Sequence, residues 1–391
     1  MEIQNIKYRK IAIDVSALRQ KDLSGVGKYL KNVLGRLLLI DDKNEYFLFS
    51  FGQKDISLNL DLLNKKNVHY IHKKIPSKVF FLLNFLFHIP HLDVLKFANK
   101  KRKMDIVWLP NFNPCSLKYK KTKLITTIHD LSFVKYREFL NFKRKLWHDF
   151  LKIIKIIKRS NKLIAVSENT SMDLQNVYKV SKDKIVVSLL GIDRRFCKIE
   201  DISLLEDIKS KYNLPDNFLL FIGVKEPRKN ILSILKAFSK LKNENIHLVI
   251  VGSCGWKEKN WKNYYNSLEK NIKSRIIILD YVNDEDLPAF YNLAKIFVWP
   301  SYYEGFGLPP LEALACSCPV VASNNSSMPE ILKDSAIFIE AFNVENLYVA
   351  INELLEDKNL YNFYKSKKIS EEFYDNWDKS AQKLLNLFNK I

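Results

Sequence analysis

The sequence has little of what marks several large classes of protein. Glycine and proline are scarce, with 10 and 12 among 391 residues, which excludes a collagen-like or low-complexity chain. The five cysteines are scattered and odd in number, which indicates a reducing compartment rather than a disulfide framework. Cys316 and Cys318 stand close together, but no histidine is near them, so they are a poor zinc pattern.

Long hydrophobic runs are also lacking. The most apolar stretch, residues 79–95, contains Asn84, Asp93 and two histidines, and it is shorter than the roughly 20 residues that a spanning helix needs. The first ten residues are polar and charged, unlike a signal peptide. We therefore expect a cytoplasmic protein, with a peripheral position on the inner face of the cytoplasmic membrane as an alternative.

Apolar and basic residues are abundant. Apolar residues make up 47% and aromatic residues 13% of the chain, enough to bury two cores of ordinary size. The net charge is +20, and it is uneven. Residues 1–200 carry 40 basic and 18 acidic side chains, whereas residues 201–391 carry 23 and 25. The basic half therefore predicts an anionic partner, such as a nucleic acid, a membrane surface or a phosphorylated lipid.

Short β-branched runs alternate with longer helical patterns. In the first half we predict strands at 11–13, 46–51, 106–109, 123–128, 162–166 and 185–189, with a helix at 27–39. In the second half we predict strands at 218–222, 247–251, 276–279, 296–299, 320–322 and 336–339, with helices at 230–241 and 284–294. This alternation predicts an α/β fold with two Rossmann-like, doubly wound parallel-sheet domains.

The predicted domain boundaries follow the composition. We assign residues 1–195 to an N-terminal domain, 196–215 to a polar linker, and 216–370 to a C-terminal domain. Residues 371–391 are expected to form a helix that packs back on the N-terminal domain. Because ligands of such folds bind at the carboxyl ends of the strands, we expect the site in a cleft between the domains.

The most informative segment follows the predicted strand 296–299. It reads PSYYEGFGLPPLEALA over residues 300–315 and predicts a glycine-rich turn before a helix that starts near Pro309 and Pro310. We expect the backbone amides at this helix start to face an anion such as a phosphate. These amides belong to Gly305, Phe306, Gly307 and Leu308.

Two carboxylates stand eight residues apart in this segment. Glu304 lies in the turn, and Glu312 lies about one turn into the helix. Carboxylates accept hydrogen bonds from hydroxyl groups, so the pair suits a polyol ligand. We expect one sugar near Glu304 and a ribose near Glu312.

This segment resembles the donor-binding signature of glycosyltransferase family 4, whose members are retaining enzymes of the GT-B fold. Six further blocks resemble that family, in its order, over about residues 11 to 340. The blocks are Ser24-Gly25-Val26-Gly27, Thr127-Ile128-His129-Asp130-Leu131, Ala165-Val166-Ser167-Glu168, Gly223-Val224-Lys225-Glu226-Pro227-Arg228-Lys229-Asn230, Asp280-Tyr281-Val282 with Leu287-Pro288-Ala289-Phe290-Tyr291, and Pro329-Glu330.

The resemblance implies a donor site in the C-terminal half. Lys229 resembles the family's phosphate-binding lysine, and two cations at a helix start neutralise a diphosphate leaving group. The second cation is Arg228 or Lys225, and the sequence leaves both open. The family's contacts to the donor are carried over to Gly25, Gly27, Gly223, Lys225, Gly305, Phe306, Gly307, Leu308 and Glu312.

The resemblance also implies contacts from the N-terminal half. His129 matches the position that contacts the transferred sugar, and we group it with Lys229, Arg228 and Glu304 as catalytic residues. Asn111, Asp130 and Ser167 are expected on the acceptor side.

The resemblance implies neither a metal nor another cofactor. The sequence offers no convincing general base, and the family is thought to let the donor phosphate assist the acceptor proton. No D-x-D stands where a metal-dependent transferase would need one. We therefore expect basic side chains and helix dipoles to act where a divalent ion acts elsewhere.

The function implied is transfer of a hexose from a nucleotide diphosphate sugar. The E-P-R-K-N block favours GDP-mannose, with a UDP-hexose or dTDP-rhamnose as the alternative. The acceptor is expected to be a lipid-linked or polysaccharide precursor of a bacterial surface glycan. A non-catalytic protein that binds nucleic acid or sugar is a remote alternative, because no nucleic-acid-binding motif is present.

The basic half contains two segments that suit an anionic membrane. Residues 79–103 combine an aromatic and aliphatic run with Lys100, Lys101, Arg102 and Lys103. Residues 141–160 predict a basic amphipathic helix, whose apolar face is either a membrane contact or part of the core. That face consists of Phe142, Leu146, Phe150, Ile153, Ile154 and Ile157.

Overall fold

The computed structural model describes residues 8–19, 23–56, 65–97, 100–113, 115–150 and 153–391. The chain divides into two compact units. Unit 1 contains the described residues up to Leu131, together with Lys143–Gly191 and Asp375–Ile391. Unit 2 contains Ser132–Phe142 and Ile192–Tyr374.

Strands and helices alternate through most of the chain. The strands are β1 (Lys10–Asp14), β2 (Glu45–Phe51), β3 (Val68–Lys73), β4 (Val94–Phe97), β5 (Lys100–Lys103), β6 (Ile106–Leu109), β7 (Lys123–Ile128), β8 (Lys162–Ala165), β9 (Ile185–Val187), β10 (Phe218–Ile222), β11 (His247–Val251), β12 (Ile276–Leu279), β13 (Ile296–Trp299), β14 (Val320–Ser323) and β15 (Ile337–Ile339). The helices are α1 (Gly25–Ile40), α2 (Ser77–Phe87), α3 (Ser132–Lys135), α4 (Phe142–Phe150), α5 (Ile153–Arg159), α6 (Glu168–Tyr178), α7 (Ile202–Tyr212), α8 (Ile231–Ser239), α9 (Lys259–Ser267), α10 (Lys270–Lys273), α11 (Leu287–Leu293), α12 (Leu308–Ala315), α13 (Met328–Leu332), α14 (Val344–Glu356), α15 (Lys358–Ser366) and α16 (Glu372–Lys390).

Unit 1 is built on a parallel sheet. Among the described residues its seven strands run in the order β3-β2-β1-β6-β7-β8-β9. Its central strand β6 is apolar throughout and fully buried, because a parallel sheet is covered on both faces. The strands β4 and β5 form a separate antiparallel ribbon.

Unit 2 repeats this winding. Its described strands run in the order β12-β11-β10-β13-β14-β15, all parallel. If these six strands are numbered 1 to 6 in chain order, their order in the sheet is 3-2-1-4-5-6. This is the doubly wound order, and its switch point lies between strands 1 and 4. The neighbours β10 and β13 flank that point, so the segments that follow them meet at one edge of the sheet. The prediction of two doubly wound parallel sheets is confirmed.

Every strand predicted from the sequence is present, with ends shifted by a residue or two. The sequence reading missed β3, which lies at the edge of its sheet. Its sequence, VHYIHK, places half-exposed polar side chains on an edge, so it lacks the continuous apolar run of a central strand. Helix α7 forms within the segment predicted as a linker, and α16 contributes its residues from Asp375 onward to unit 1.

The segment predicted as one basic helix over 141–160 contains α4 and α5, and residues 151–152 lie outside the described ones. Ile153 and Ile157 are buried, so this part of the predicted apolar face belongs to the core. Phe142, Leu146 and Ile154 are exposed. The side chain of Phe150 lies outside the described part of the structure.

Residues 1–7 and 98–99, within the predicted polar N-terminus and the predicted membrane segment, also lie outside the described ones. In the ranges that the structure describes, no helix has the length and apolar character needed to cross a bilayer.

Candidate active site

The predicted donor residues of unit 2 gather at its switch point. Residues 223–230 follow the carboxyl end of β10, and residues 300–307 follow that of β13. Leu219 of β10 pairs with Ile296 of β13, so the two segments leave the sheet side by side. Ligands of doubly wound folds bind at this position, because neighbouring connections diverge there and leave a crevice.

The segment after β10 makes a tight turn that joins the two connections. Residues Pro227–Lys229 form a short 3-10 turn, and Asn230 then adopts a left-handed conformation with a φ of 58°. The Asn230 side chain donates hydrogen bonds to the carbonyls of Pro300 (3.1 Å) and Ala341 (2.7 Å). The backbone amide of Tyr302 donates to the carbonyl of Arg228 at 2.9 Å. The turn is therefore fixed against the loop that carries Glu304.

Serine hydroxyls hold the loop after β13 in place. The amide of Glu304 donates to Oγ of Ser326 at 2.9 Å. Oγ of Ser327 donates to the carbonyls of Glu304 (3.1 Å) and Phe306 (2.8 Å). These bonds to residues far along the chain fix the backbone beside the Glu304 carboxylate.

Gly307 ends the turn and precedes α12, which begins at Leu308 as the sequence predicts. Its φ of 103° is open to glycine and rare for other residues. A Cβ at Gly307 would lie 2.2 Å from Cε of Met328. The φ therefore favours glycine here, whereas Cε of Met328 ends a flexible side chain that can move aside.

The carboxylate of Glu304 lies between two cations. Nη1 of Arg228 is 2.8 Å from Oε2, and Nζ of Lys229 is 2.6 Å from Oε1. All three side chains are largely withdrawn from solvent, at 9%, 16% and 11% exposure for Glu304, Arg228 and Lys229. Arg228 also donates to the carbonyl of Tyr303 at 2.5 Å and pairs with Glu226 at 2.7 Å. We call Arg228, Lys229 and Glu304 the charged cluster.

The charged cluster changes the ionisation of its members. Burial by itself would raise the pKa of Glu304, but Arg228 and Lys229 outweigh it and lower that pKa to about 2. Burial and the charge of Arg228 lower the pKa of Lys229, against the opposing pull of Glu304. The ammonium of Lys229 also lies 4.3 Å from the ring centre of Trp299, a cation–π contact that offsets part of its lost hydration.

Lys225 takes a different partner. Its side chain is 1% exposed, and its Nζ lies 2.5 Å from Oδ1 of Asp280, at the end of β12. The hydrogen bond from Lys225 lowers the pKa of Asp280. The neighbouring Gly223 borders Gly252, where a Cβ would lie 2.0 Å from the carbonyl oxygen of Gly223. The structure thus pairs Arg228, and not Lys225, with the acid that also holds Lys229.

The second carboxylate is buried and accepts a hydrogen bond from a tyrosine hydroxyl. Glu312 on α12 is 6% exposed, and the hydroxyl of Tyr291 on α11 donates to its Oε2 at 2.8 Å. Tyr291 itself is fully buried. Burial and the charge of Glu312 raise the pKa of Tyr291 well above its ordinary value, so the hydroxyl keeps its proton.

In unit 1, His129 follows β7 and is held from two sides. Its Nε2 lies 2.8 Å from the carbonyl oxygen of Pro110, and its ring meets that of Tyr29 edge to face, with centres 4.9 Å apart. Burial lowers the pKa of His129, which favours the neutral ring at physiological pH. Asp130 follows directly. Their predicted contacts with sugar and acceptor stay predictions.

The other predicted residues of unit 1 have local structural roles. Gly25 and Gly27 lie in the first turn of α1, which begins at Gly25, two residues before the predicted start. Ser24 caps this turn by accepting a hydrogen bond from the amide of Gly27. The hydroxyl of Ser167 caps α6 by accepting from the amide of Thr170 at 3.0 Å. Asn111 accepts from the amide of Phe112 at 2.8 Å. Their predicted contacts with ligands remain predictions.

Sequence reasoning missed the residues that support the site from elsewhere in the chain. Asp280 and Tyr291 stand in blocks that resemble the family, yet neither has a recognisable local pattern of its own. Ser326 and Ser327 lie in a polar stretch that resembles any surface loop. Only the long-range contacts described above identify these four residues.

Two family descriptions match the sequence, one in each half. Residues 24–196 match "Glycosyltransferase Family 4", and residues 205–371 match "Glycosyl transferases group 1". The two matches stand in the same order as the two units.

Individual relatives agree. The chain is 28% identical over 388 residues to "O-antigen chain mannosyltransferase B" of Escherichia coli, covering 94% of this chain and 97% of that one. It is 27% identical over 247 residues to "Serotype-specific mannosyltransferase WbdA" of Escherichia coli, covering 60% of this chain and 29% of that longer one. The solved structure of Anabaena Alr3699/HepE in complex with UDP and glucose has a TM-score of 0.69 at 13% identity, covering 98% of this chain and 100% of that one.

The two doubly wound sheets and the likeness to solved structures define the GT-B fold. The chain belongs to glycosyltransferase family 4 and is an enzyme that transfers a sugar. The family resemblance and the fold predicted from the sequence are both confirmed.

The acidity of Glu304 gives a prediction about stability. Its pKa is about 2 in the folded chain against an ordinary value of 4.5, so its contribution is present above pH 4.5 and is lost as the pH falls towards 2. We expect Glu304→Gln to lower the free energy of unfolding at pH 7 by about 3 kcal/mol. Urea denaturation at a series of pH values should also show a shallower decline between pH 4.5 and 2.

A matched control is Glu345→Gln, which breaks the exposed pair of Glu345 with Lys240. Since both of those side chains are about half exposed, the loss should be at most about 1 kcal/mol. Equal losses in the two variants would contradict the assignment of Glu304 to a buried ionic contact.

Proposed function

We propose that this enzyme transfers mannose, with retention, from GDP-mannose to a growing bacterial surface glycan. The observation that carries the proposal is the charged cluster at the switch point of unit 2, beside the start of α12. Two relatives named mannosyltransferases support the sugar, and the one named an O-antigen chain mannosyltransferase supports the kind of product.

The charged cluster supports a role in binding the diphosphate of the donor. Arg228 and Lys229 present two cations beside a helix N-terminus, the arrangement that binds phosphates in many proteins. When the bond between the sugar and the phosphate breaks, the electron pair passes to the phosphate oxygen. Fixed cations stabilise that charge without reorganising, and this differential stabilisation lowers the barrier.

The two carboxylates, Glu304 and Glu312, bind different hydroxyl groups of the donor. Glu304, ionised at any physiological pH, accepts hydrogen bonds from hydroxyl groups of the hexose while it holds the two cations in place. Glu312 accepts the ribose hydroxyls. The leaving phosphate takes the proton of the acceptor hydroxyl, so the proposal needs neither a protein base nor a divalent metal.

A nucleotide panel tests the proposal without an acceptor. We expect GDP, in a buffer with EDTA, to raise the melting temperature of the purified enzyme more than UDP or dTDP at the same concentration. A larger shift with UDP or dTDP would replace GDP-mannose by the alternative donor. No shift with any of the three, or one that requires added Mg²⁺, would contradict the proposed donor chemistry.

The assignment of the second phosphate-binding cation to Arg228 gives a separate prediction. We expect the wild type to bind GDP about 10- to 100-fold more tightly than GMP, because the β-phosphate gains charged hydrogen bonds. Arg228→Met should lose most of this ratio, as measured by titration calorimetry.

Lys225→Met is the matched control, because it removes a buried cation three residues away in the same connection after β10. It should keep the ratio of GDP to GMP affinity. A loss of the ratio in Lys225→Met together with its retention in Arg228→Met would reverse the assignment.

We further propose that unit 1 contacts an anionic membrane, where a lipid-linked acceptor lies. Helix α2 exposes Val79, Leu82, Leu86 and Phe87, at 45%, 54%, 54% and 64% exposure. Exposed apolar side chains at this spacing mark an interaction surface. Since the first 200 residues carry a net charge of +22, an anionic lipid surface is the partner that fits both features.

Vesicle co-sedimentation tests this contact. We expect binding to vesicles of phosphatidylglycerol and phosphatidylcholine at low salt, weaker binding at high salt, and none to phosphatidylcholine alone. Leu82→Gln with Leu86→Gln should weaken it several-fold. Leu39→Gln, which changes an equally exposed leucine of α1, should not. No binding to the anionic vesicles at low salt would end the membrane proposal.

A further inference from the structure

Tyr291 makes a contact that the donor chemistry above does not use. It lies on α11, fully buried, and its hydroxyl donates to Oε2 of Glu312 on α12 at 2.8 Å. Its ring packs edge to face against Phe196 and Phe297, with centres 5.9 and 5.4 Å apart. The hydroxyl is therefore held in one place by the packing of the ring.

The partner of this hydroxyl needs such support. A glutamate side chain has three rotatable bonds, and orienting it costs conformational entropy unless packing or a hydrogen bond does so in advance. Glu304 receives this support from Arg228 and Lys229. Tyr291 supplies Glu312 with a neutral donor instead.

We propose that Tyr291 is a positioning residue that fixes the Glu312 carboxylate for the ribose of the nucleotide, and that it thereby sets the preference for a ribonucleotide over its 2′-deoxy form. The inference rests on the proposed role of Glu312. A 2′-deoxy nucleotide leaves the buried Glu312 carboxylate without a hydroxyl partner. This lowers the affinity strongly, but only if the carboxylate is held at the place where the hydroxyl would lie. Without Tyr291 the carboxylate can turn away, and the penalty falls.

The test compares the affinities of GDP and UDP with those of their 2′-deoxy counterparts by titration calorimetry. For whichever base binds more tightly, the wild type should prefer the ribonucleotide by about tenfold or more. Tyr291→Phe keeps the ring and removes only the hydroxyl, and it should reduce this preference to about two- to threefold. A ratio of affinities is insensitive to the fraction of folded protein, so a purely structural role would not change it.

The control is Tyr212→Phe. The Tyr212 hydroxyl donates to Oδ2 of Asp286 at 2.7 Å, and its ring contacts Phe290, so it supports the same helix as Tyr291 without touching Glu312. This variant should keep the wild-type preference. A loss of preference in Tyr212→Phe equal to that in Tyr291→Phe would overturn the inference, because the effect would then belong to the helix.

Glu312→Gln separates the inference from the function on which it rests. We expect it to abolish the preference, and the double variant with Tyr291→Phe to be no worse, since both changes act on one interaction. A wild-type preference in Glu312→Gln would contradict the proposed role of Glu312. A collapsed preference in Glu312→Gln, with a wild-type preference in Tyr291→Phe, would overturn the role of Tyr291 alone. No binding by either nucleotide, or no preference in the wild type, would overturn both.

Discussion

The carboxylate of Glu304, buried between Arg228 and Lys229, is the contact on which the rest of unit 2 depends. Three charges withdrawn from water are costly, and they are tolerated only because each charge faces an opposite one at hydrogen-bond distance. Their attraction also fastens the connection after β10 to the connection after β13. Charge therefore joins the two connections at the switch point, in addition to the hydrogen bonds of Asn230 and Tyr302, and the two cations suit this position to anions.

The two carboxylates of the segment illustrate how surroundings divide the roles of identical groups. Glu304 is neutralised by two cations, which lower its pKa to about 2 and leave it as an anchor for basic side chains. Glu312 accepts a hydrogen bond from a buried tyrosine hydroxyl, which orients its carboxylate. Each environment is built by residues outside the segment, from the turn after β10 in one case and from α11 in the other.

Much of this could be predicted from the sequence, and the limits have a physical basis. Central strands such as β6 and β10 are continuous apolar runs because both faces of a parallel sheet are buried. A short stretch of sequence is therefore enough to predict them. The eight-residue spacing of Glu304 and Glu312, with Gly307 between them, is equally local.

Contacts between side chains far apart in the sequence cannot be predicted in this way. Lys225 and Arg228 are both basic residues of one turn, and only their partners, Asp280 and Glu304, distinguish them. The contribution of Tyr291 depends on where α11 packs. The sequence around Tyr291 does not predict that packing. The edge strand β3 was missed because half-exposed strands lack an unbroken apolar run.

The most direct test of the account is a crystal structure of the enzyme soaked with GDP-mannose. The account predicts that the oxygens of the sugar-linked phosphate lie within about 3.2 Å of both Arg228 and Lys229, in front of the helix that begins at Leu308. A nucleotide whose phosphates lie against neither of these side chains would contradict it.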